Sequence, residues 1–525
     1  MKFPRFFHTA AVLGLAALFA LPTAGHAATR CVSTAAQLHN ALAEVRTATD
    51  ALFLIRVRTG IYQATAQTGP FELIQGHSNQ LVDLSGGWSG ANGACTSQSY
   101  DPSLTTLIGT ASTPALSVYA GVLLSWDPLA EAPFNAKVSV FGLTLKNPSF
   151  TKAYITHSNL EDFPYDYWEP ESACFNGLVG LDSNELLLDR LHIRDCRAPN
   201  NGNAAGFVRN IGATLTMHNI VARQSSSLGN AGLRVDSKGG VTTLSQISIT
   251  GMETNASCKN PGTSNTLFYL DRASGLELRS TEGGVLHLGN SVVWGNTLCP
   301  SYGSKDIWAV LGVWDDGNPN TIHDNVWVAG SGGDLWLDHV RTGYWNYTTP
   351  IQPAHVSSVV LGDPGFVAPG NPMPRPGSPL IDKGNPNPQG GTGSYDASGR
   401  TRVLGGTVDI GAYEAQPNQA PTLVLAPTYA VSPGAPVNTL VFTATASDDG
   451  MPSPLSYSLT SLCPGMFAIN ASTGAVRLLA ANPPAGGECD VSVAVSDGAL
   501  QATATTHVTL QPTLPDTIFA NGFDG

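Results

Sequence analysis

Four residues in the second half of the sequence could act on a sugar bond. Asp315 and Asp316 are adjacent in a Trp-Asp-Asp-Gly stretch, and Asp338 and His339 follow an alternating Leu-Trp-Leu stretch. Glycoside hydrolysis needs two carboxyl groups roughly 5 to 9 Å apart, whereas a carboxylate that holds calcium would suit a polysaccharide lyase. The companion residues of both enzyme types are missing, and turn chemistry explains the aspartates. The sequence therefore favours a non-catalytic protein.

Two groups of aromatic residues could stack on sugar rings. Tyr165, Tyr167 and Trp168 lie in an acidic insertion, and Tyr344 and Trp345 form a second group. Flat rings on a rigid support can bind a neutral glycan, and nearby carboxylates could hold a calcium ion. The alternative is that the rings pack over the protein surface, because half-buried aromatic residues are common.

The first 27 residues have the order of a secretory signal peptide. Lys2 and Arg5 precede an apolar run from Ala10 to Leu21, and small residues lead to a cleavage site after Ala27. The run is shorter than the roughly 20 residues that span a bilayer, and no later stretch qualifies. The sequence predicts an exported protein without a transmembrane segment, secreted or held at the outer membrane of a Gram-negative-type bacterium.

The exported chain is acidic. Its formal net charge falls from −13 to −15 on cleavage, because the signal peptide carries two basic residues and no acidic ones. A negative surface repels nucleic acid and anionic polymers. Neutral glycans, cations and proteins are the partners that remain, and the oligomeric state is left open.

Eight cysteines follow the predicted cleavage site, and an even number in an exported protein indicates disulfides. The absence of any Cys-x-x-Cys pair in the sequence argues against zinc. Sequential pairing is the simplest arrangement, and it joins Cys31 to Cys95, Cys174 to Cys196, Cys258 to Cys299 and Cys463 to Cys489.

A repeated apolar pattern runs through the first part of the chain. Short segments that begin at Val140, Leu188, Met217, Leu244 and Leu288 align, with starts 48, 29, 27 and 44 residues apart. If each wide interval holds two repeats, the unit is roughly 22 to 29 residues, the range of a solenoid. The alternation predicts half-buried strands that pair in parallel with neighbouring repeats. We expect a right-handed parallel β-helix of about a dozen coils, with Asn and Gly at its corners.

Both ends of such a solenoid need a cover, because unpaired strand edges aggregate. A predicted helix from Leu38 to Val45 is placed to cover the first coil. Residues 363–415, which are rich in Pro and Gly, are placed to cover the last coil and are called the closing segment. Four aspartates of this segment are predicted to cap turns rather than to form an active site, namely Asp363, Asp382, Asp396 and Asp409.

Motifs at both ends of the repeat region resemble one bacterial family. Arg58-Thr-Gly-Ile-Tyr62 and Ser85-Gly-Gly-Trp88 stand near the start, and Asp363-Pro-Gly-Phe366, Ser378-Pro-Leu-Ile-Asp382 and Asp409-Ile-Gly-Ala-Tyr-Glu414 near the end. These motifs resemble the pectin-lyase-like β-helix proteins of the choice-of-anchor Q type. The resemblance implies an exported β-helix at or beyond the cell surface, and no single activity is shared by that family.

The composition changes after residue 415. A linker at 416–422 precedes regularly spaced strands over 423–512, which predict a small β-sandwich, and the tail 513–525 is a candidate sorting signal. The Ala-Ser-Asp-Asp-Gly and Val-Ser-Asp-Gly stretches resemble cadherin-like modules. That resemblance implies calcium ligands at Asn418, Asp448, Asp449 and Asp497, although further carboxylates of such a site are missing and turn roles explain the same residues.

The predicted protein is all-β, with a signal peptide (1–27), a β-helix (28–362), the closing segment and a sandwich. Its predicted function is adhesion or binding to an extracellular glycan or a surface protein. Because unrelated functions share the β-helix fold, two alternatives stay open. One is a polysaccharide lyase or glycoside hydrolase, and the other is a structural spacer that presents the sandwich.

Overall fold

The computed structural model describes residues 27–75, 79–121, 135–151, 172–180, 183–198, 203–227, 231–254, 275–281, 284–298, 311–314, 326–328, 335–337, 359–361, 363–415, 418–448, 454–482 and 486–512. The chain divides into two compact units after Ala415. Within the described ranges the fold is all-β, apart from α1 (Ala35–Glu44) and two short 3-10 helices at Ala91–Gly93 and Pro102–Leu104. No helix in these ranges is long and apolar enough to cross a membrane.

The strands of the first unit are β1 (Ala27–Val32), β2 (Leu52–Arg58), β3 (Gly60–Gln63), β4 (Glu72–Gln75), β5 (Leu81–Ser89), β6 (Ser97–Gln98), β7 (Thr105–Ile108), β8 (Leu116–Ala120), β9 (Lys137–Asn147), β10 (Phe175–Gly180), β11 (Glu185–Ala198), β12 (Gly206–Ile211), β13 (Thr214–His218), β14 (Val221–Arg223), β15 (Ser226–Ser227), β16 (Leu233–Lys238), β17 (Val241–Ser245), β18 (Ser248–Thr250), β19 (Glu253–Thr254), β20 (Leu276–Thr281), β21 (Val285–Gly289), β22 (Ser291–Val293), β23 (Thr297–Leu298), β24 (Leu311–Trp314), β25 (Val326–Val328), β26 (Leu335–Leu337), β27 (Val359–Leu361), β28 (Phe366–Ala368) and β29 (Asn371–Pro374).

The first unit contains a large parallel sheet whose strands come from successive repeats. β9 pairs with β11, β11 with β13, β13 with β17 and β17 with β21. The register aligns Val140, Leu188, Met217, Leu244 and Leu288, so the parallel pairing predicted from the sequence is confirmed. The prediction of a second repeat inside each wide interval is wrong, because β9 pairs directly with β11 and β17 with β21. The extra residues are insertions between paired strands.

A second parallel sheet has seven strands in the order β24-β20-β16-β12-β10-β8-β4. Its strands alternate along the chain with those of the large sheet: β12 is followed by β13, β14 and β15, and β16 by β17, β18 and β19. Each strand of such a group pairs in parallel with its counterpart in the next group. One repeat therefore contributes to both sheets before the chain enters the next.

The chain bends twice in each repeat at residues with a left-handed backbone. The first bend is at Arg190, Asn219, Gln246 and Asn290, and the second, five residues later each time, is at Asp195, Gln224, Gly251 and Gly295. Asn and Gly accept this conformation readily, while for other residues it costs roughly 1–2 kcal/mol. The predicted Asn and Gly corners are confirmed, and Arg and Gln at these bends were not predicted.

Alternate residues of the strands fill one continuous apolar core in the first unit. Helix α1 begins after Thr34, whose hydroxyl accepts a hydrogen bond from the amide of Gln37. Its buried residues Leu38 and Leu42 belong to the same core, and the helix packs against β1, β2 and β4. The helix therefore covers the first strands, as predicted.

The closing segment runs across the outward side of several repeats. After the antiparallel pair β28–β29 it consists of turns. Asn385 and Asn290 exchange two hydrogen bonds of 2.7 Å, and farther along the carbonyl of Ala397 lies 2.8 Å from Nε2 of His192. These contacts lie along the side of the large sheet. Most of the last coil lies outside the described residues, so the prediction that the segment covers it stays a prediction.

The second unit is a smaller, mainly antiparallel structure. Its strands are β30 (Thr422–Val424), β31 (Thr428–Val431), β32 (Leu440–Thr443), β33 (Thr445–Ser447), β34 (Ser456–Ser461), β35 (Phe467–Ile469), β36 (Ala475–Leu478), β37 (Gly487–Ser496) and β38 (Gln501–Leu510). They form sheets ordered β31-β38-β37-β34 and β32-β36-β35, with the pair β30-β33. Phe442, Val476 and Val493, from the two larger sheets, share one core.

Three disulfides join cysteines that are consecutive in the sequence. Cys31 is bonded to Cys95, Cys174 to Cys196 and Cys463 to Cys489. These three predicted pairs are confirmed and fit an oxidising compartment. Cys258 and Cys299, the fourth predicted pair, lie outside the described residues.

Candidate functional site

One row of side chains crosses the outward face of the large sheet, one register position after the aligned core residues. It consists of Arg56, Ser85, Phe141, Asp189, His218, Ser245 and Gly289, and we call it the outer row. The closing segment lies over the last three of these residues, which form the covered half. The first four form the open half, where Arg56, Phe141 and Asp189 keep part of their surface exposed.

Two guanidinium groups and four aromatic rings surround the open half. We call this set the arginine–aromatic cluster; it consists of Arg56, Trp88, Tyr100, Phe141, Arg190 and Tyr395. Arg190 is almost fully buried, and its guanidinium carbon lies 5.2 Å from the ring centre of Tyr100, 5.3 Å from that of Phe141 and 5.5 Å from that of Tyr395. Its Nε donates to Oδ2 of Asp189 at 2.8 Å. The left-handed bend at Arg190 thus places this side chain at the centre of the cluster.

The closing segment supplies one ring of the cluster. Tyr395 stacks on Tyr100 with 4.1 Å between ring centres and 22° between ring planes. A hydrogen bond between the two hydroxyl groups, together with burial, raises the pKa of Tyr395. The cluster is therefore built jointly by the sheet, the loop after β6 and the closing segment.

The first guanidinium of the cluster lies on a tryptophan. The guanidinium carbon of Arg56 is 4.3 Å from the ring centre of Trp88, and Nη1 of Arg56 donates to the carbonyl of Cys95 at 3.1 Å. The indole Nε1 of Trp88 donates to Oγ of Ser85 at 3.0 Å. Because each group is bonded to a strand or a disulfide-linked loop, the pair is held in one orientation.

A carboxyl group lies beside this pair. Asp83 is two residues before Ser85 on β5 and points to the same outward side. Burial raises the pKa of Asp83 to about 6, even though a hydrogen bond from Ser85 and the charges of Arg56 and Arg190 act in the opposite direction. The group therefore changes between a proton donor and a charged acceptor close to neutral pH.

The covered half has different chemistry. Nε2 of His218 lies 2.6 Å from the carbonyl oxygen of Gly390, and Oγ of Ser245 donates to the carbonyl of Gly391 at 2.9 Å. Burial lowers the pKa of His218, although the charge of Asp189 and the bond to Gly390 raise it and Arg402 lowers it further. His218 is thus held neutral, in a form that donates to the closing segment.

His192, on the neighbouring stretch of β11, makes a similar contact with the carbonyl of Ala397. Burial lowers its pKa to about 4, with a further lowering by Arg223. Val221 packs beside it with Ala412 and Tyr413 of the closing segment. The closing segment is therefore held on the large sheet by neutral hydrogen-bond donors and by apolar contacts.

Charged groups are buried inside the closing segment itself. Arg402 is fully buried and donates to the carbonyls of Asp409, Gly411 and Ala412 at 2.7–3.1 Å. Burial raises the pKa of Glu414 to about 7, although its carboxylate accepts hydrogen bonds from the amides of Leu404 and Asp409. These groups therefore fix the turns of the segment.

The four aspartates predicted to cap turns do so. Each carboxylate accepts backbone amide hydrogens within the closing segment: Asp363 from Gly365, Asp382 from Gly406 and Thr407, Asp396 from Ser398, Arg400 and Glu414, and Asp409 from Asp382 and Ala415. The segment that carries the family resemblance therefore owes its acidic residues to its own turns.

Most site residues proposed from the sequence lie outside the described residues. These are Asp315, Asp316, Asp338, His339, Tyr165, Tyr167, Trp168, Tyr344, Trp345 and Asp449. Their roles stay predictions.

The structure describes three of the four proposed calcium ligands, Asn418, Asp448 and Asp497. Nδ2 of Asn418 donates to Oδ2 of Asp497 at 2.9 Å, and Oδ1 of Asn418 is buried with no hydrogen-bond partner among the described residues. Burial acts to raise the pKa of Asp497, but the amides of Leu500 and Ala499 and the side chain of Asn418 outweigh it, so the pKa is lowered. Across the described residues, no three His, Cys, Asp or Glu side chains are grouped to hold a metal ion.

Sequence reasoning missed the arginine–aromatic cluster, although part of its signal was present. Extending the aligned repeats by one residue places Phe141 and Asp189 in one row with His218. Trp88 was noted only as part of a family motif. The contributions of Tyr100 and Tyr395 had no local signal, because the two residues are far apart in the chain.

A scan against protein-family models finds no match, and a search of curated proteins finds none either. Among solved structures, the chain is similar to human protocadherin-24 EC1-2, with 24% identity over 18% of this chain and 44% of that chain and a TM-score of 0.16. Protocadherin gamma B2 extracellular cadherin domains 3-6 shares 32% identity over 17% of this chain and 25% of that chain, with a TM-score of 0.16. Mouse cadherin-23 EC22-24 shares 20% identity over 18% of this chain and 32% of that chain, with a TM-score of 0.15. The match spans less than half of each of these chains, and TM-scores this low carry no argument about fold or function.

Proposed function

We propose that this chain is an exported binding protein that holds an extracellular partner at the arginine–aromatic cluster. The observation that carries the proposal is the position of Asp83, a half-buried carboxyl group on the outward side of β5 beside the stacked pair of Arg56 and Trp88. Burial raises its pKa, although the charges of Arg56 and Arg190 act in the opposite direction. Stability alone does not favour a carboxyl group whose pKa is raised by burial. Perturbed groups of this kind are concentrated at functional sites.

The strand arrangement gives this cluster a rigid support. Arg56, Ser85, Phe141 and Asp189 come from four strands paired in parallel, so the register of the sheet fixes their spacing. Side chains placed on strands hold a binding geometry more accurately than side chains on loops. A partner would therefore meet groups that are already ordered, which lowers the entropy cost of binding.

The proposed architecture is a right-handed parallel β-helix of the choice-of-anchor Q type for the first unit and a cadherin-like sandwich for the second. Parallel pairing between successive groups of strands, with two bends in each repeat, supports the β-helix. The signal-peptide pattern and the disulfides support an exported protein, secreted or at the surface of a Gram-negative-type bacterium.

Binding of the full chain to intact cells, measured by flow cytometry, tests the proposed function. Trp88→Ala removes a ring of the cluster, and Arg56→Gln removes its charge; both should reduce binding at least tenfold. Arg30→Gln is the matched control, because Arg30 lies 5.4 Å from the ring centre of Phe53 but outside the cluster. Binding that both cluster variants retain at full strength, while their melting temperatures are unchanged, would contradict the proposal.

Glycoside hydrolysis is the second candidate function, and Asp83 is the observation that favours it. A carboxyl group with a pKa of about 6 can act as a general acid near neutral pH. Asp189, two strands away on the same face, is a second carboxylate that accepts from Arg190 and Asn219. New reducing ends in a glycan digest, abolished by Asp83→Asn, would establish this activity in place of binding alone.

Calcium is proposed for the second unit only. Asn418, Asp448, Asp449 and Asp497 are the proposed ligands, and the buried Oδ1 of Asn418 supports them because hard cations prefer such oxygens. A ligand that binds only the native state raises its stability. Millimolar calcium should therefore raise the melting temperature of the wild-type protein and leave that of Asn418→Ala unchanged. No rise in the wild-type protein would remove calcium from the proposal.

A further inference from the structure

We infer that the partner of the arginine–aromatic cluster is an uncharged saccharide unit, whose hydroxyl groups donate hydrogen bonds to Asp83 and whose apolar face lies against Trp88 and Phe141. This inference rests on the proposed function, since it names the chemistry of the ligand held at the same site. It is argued from the charge balance, the donor and acceptor groups and the exposed rings of the cluster.

The charges of the cluster are matched. Arg190 is paired with Asp189 at 2.8 Å, and Arg56 and Arg190 are the cations whose charges act on Asp83. An ionic ligand would therefore find no unmatched charge among the described residues of the cluster. The net charge of −15 on the exported chain repels an anion further. A cation on these rings would lie beside two guanidinium groups, and their positive charges would repel it.

An uncharged sugar suits the remaining groups. Its hydroxyls both donate and accept hydrogen bonds, and its ring carries an apolar face of C–H groups that packs on aromatic rings. Asp83 provides the acceptor and Arg56 the donors, while Trp88 and Phe141 are partly exposed. The hydrogen bond from Trp88 to Ser85 fixes the orientation of the indole ring before the ligand binds.

Binding should be linked to the protonation of Asp83. Hydroxyl donors stabilise the charged carboxylate, so the bound sugar lowers a pKa that burial has raised to about 6 in the free protein. The free protein therefore takes up a proton below pH 6 that the complex does not take up. Affinity should fall as the pH falls, by about tenfold between pH 7 and pH 5.

Calorimetric titration of the full chain tests this inference. The probes are cellohexaose, maltohexaose and N-acetylchitohexaose, with hexagalacturonate as the charged counterpart, each at pH 7 and pH 5. At least one neutral oligosaccharide should bind, with about tenfold lower affinity at pH 5, and hexagalacturonate should bind at least tenfold more weakly at pH 7. Asp83→Asn should weaken binding at pH 7 and remove the dependence on pH.

Asp195→Asn is the matched control, because Asp195 lies on the same sheet, is partly exposed and pairs with Lys146 instead of the cluster. It should keep both the affinity and the dependence on pH. Preferential binding of hexagalacturonate, or a dependence on pH that persists in Asp83→Asn, would overturn the inference.

The two proposals fail separately. If Trp88→Ala abolishes binding to cells while no neutral oligosaccharide binds, the ligand class is wrong and the site is right. If the cluster variants keep full binding to cells, the proposed function itself is wrong. Melting curves of each variant confirm that the chain is folded in every comparison.

Discussion

The open and covered halves of the outer row share one sheet and one register, and they differ in what their side chains present. The covered half carries His218, Ser245 and Gly289, which are compact or donate to backbone carbonyls of the closing segment. In the open half, Arg56 and Phe141 extend outward and meet other side chains. The two halves therefore share a backbone register and differ in side-chain size and donor type.

The two halves also differ in the energetics of their ionisable groups. Below the closing segment, burial keeps His192 and His218 neutral, a form that still donates a hydrogen bond. In the open half burial raises the pKa of Asp83, and a hydrogen bond from Ser85 and the charges of Arg56 and Arg190 offset only part of that effect. The neutral histidines thus satisfy their buried donors where the protein binds itself, whereas the burial of Asp83 is only partly offset where we propose that the protein binds a ligand.

The largest expected effect is a loss of stability in the closing segment, which covers one half of the outer row. Arg402→Met leaves three carbonyls and the carboxylate of Glu414 buried without their cation, and removal of one buried charged partner costs about 3–5 kcal/mol. Hydrogen exchange of the closing segment should rise by two or more orders of magnitude, while exchange in β5 stays low. Arg375→Met, in the same segment but with a side chain that is 58% exposed, should show little change. Equal increases in hydrogen exchange for Arg402→Met and Arg375→Met would show that the buried position of Arg402 does not matter.

A smaller effect of opposite sign is expected in the open half. Asp83→Asn should stabilise the protein by up to about 3 kcal/mol at pH 8, since a pKa raised from 3.8 to about 6 costs stability once the carboxyl group ionises. The native state holds its proton more tightly than the unfolded state, so the gain disappears as the pH falls from 6 to below 4. Urea unfolding of both proteins at pH 8 and at pH 3.5 measures the gain in stability. A gain that persists at pH 3.5 would refute the explanation.

The smallest expected effect is a difference in stability between substitutions at two neighbouring glycines over the covered half. Gly390 and Gly391 both have φ of +82°, but a Cβ on Gly390 would lie 2.6 Å from Cγ2 of Thr243, whereas one on Gly391 meets nothing within 4 Å. Gly391→Ala should cost about 1 kcal/mol for its backbone conformation alone. Gly390→Ala should cost about 1 kcal/mol more, because the segment must lift from the sheet. Equal losses of stability in urea would show that the contact contributes nothing.

The repeat register could be predicted from the sequence because it depends on local alternation. The aligned residues Val140 and Leu188 are paired as predicted, and α1 and the described disulfides were found from capping, apolar spacing and cysteine order. Turn capping by Asp396 follows from short-range chemistry in the same way. The error over hidden repeats arose because spacing alone cannot distinguish an insertion from a full turn of the solenoid.

The rest could not be predicted, because it depends on contacts between distant residues. Tyr395 stacks on Tyr100 from nearly 300 positions away, and nothing in either local sequence marks the pair. The left-handed conformation of Arg190 is unusual for that residue type, so its place at the centre of the cluster has no sequence signal. The raised pKa of Asp83 is likewise a result of tertiary burial.

The five-residue interval between the two bends of each repeat has a consequence for how such a chain can change length. Between Arg190 and Asp195 the interval equals that between Asn290 and Gly295, although the repeats themselves are spaced from 27 to 48 residues apart. One residue added within the interval would turn the following side chains to the opposite face of the sheet. Residues can therefore be added outside this interval, where whole new loops leave the outer row in place.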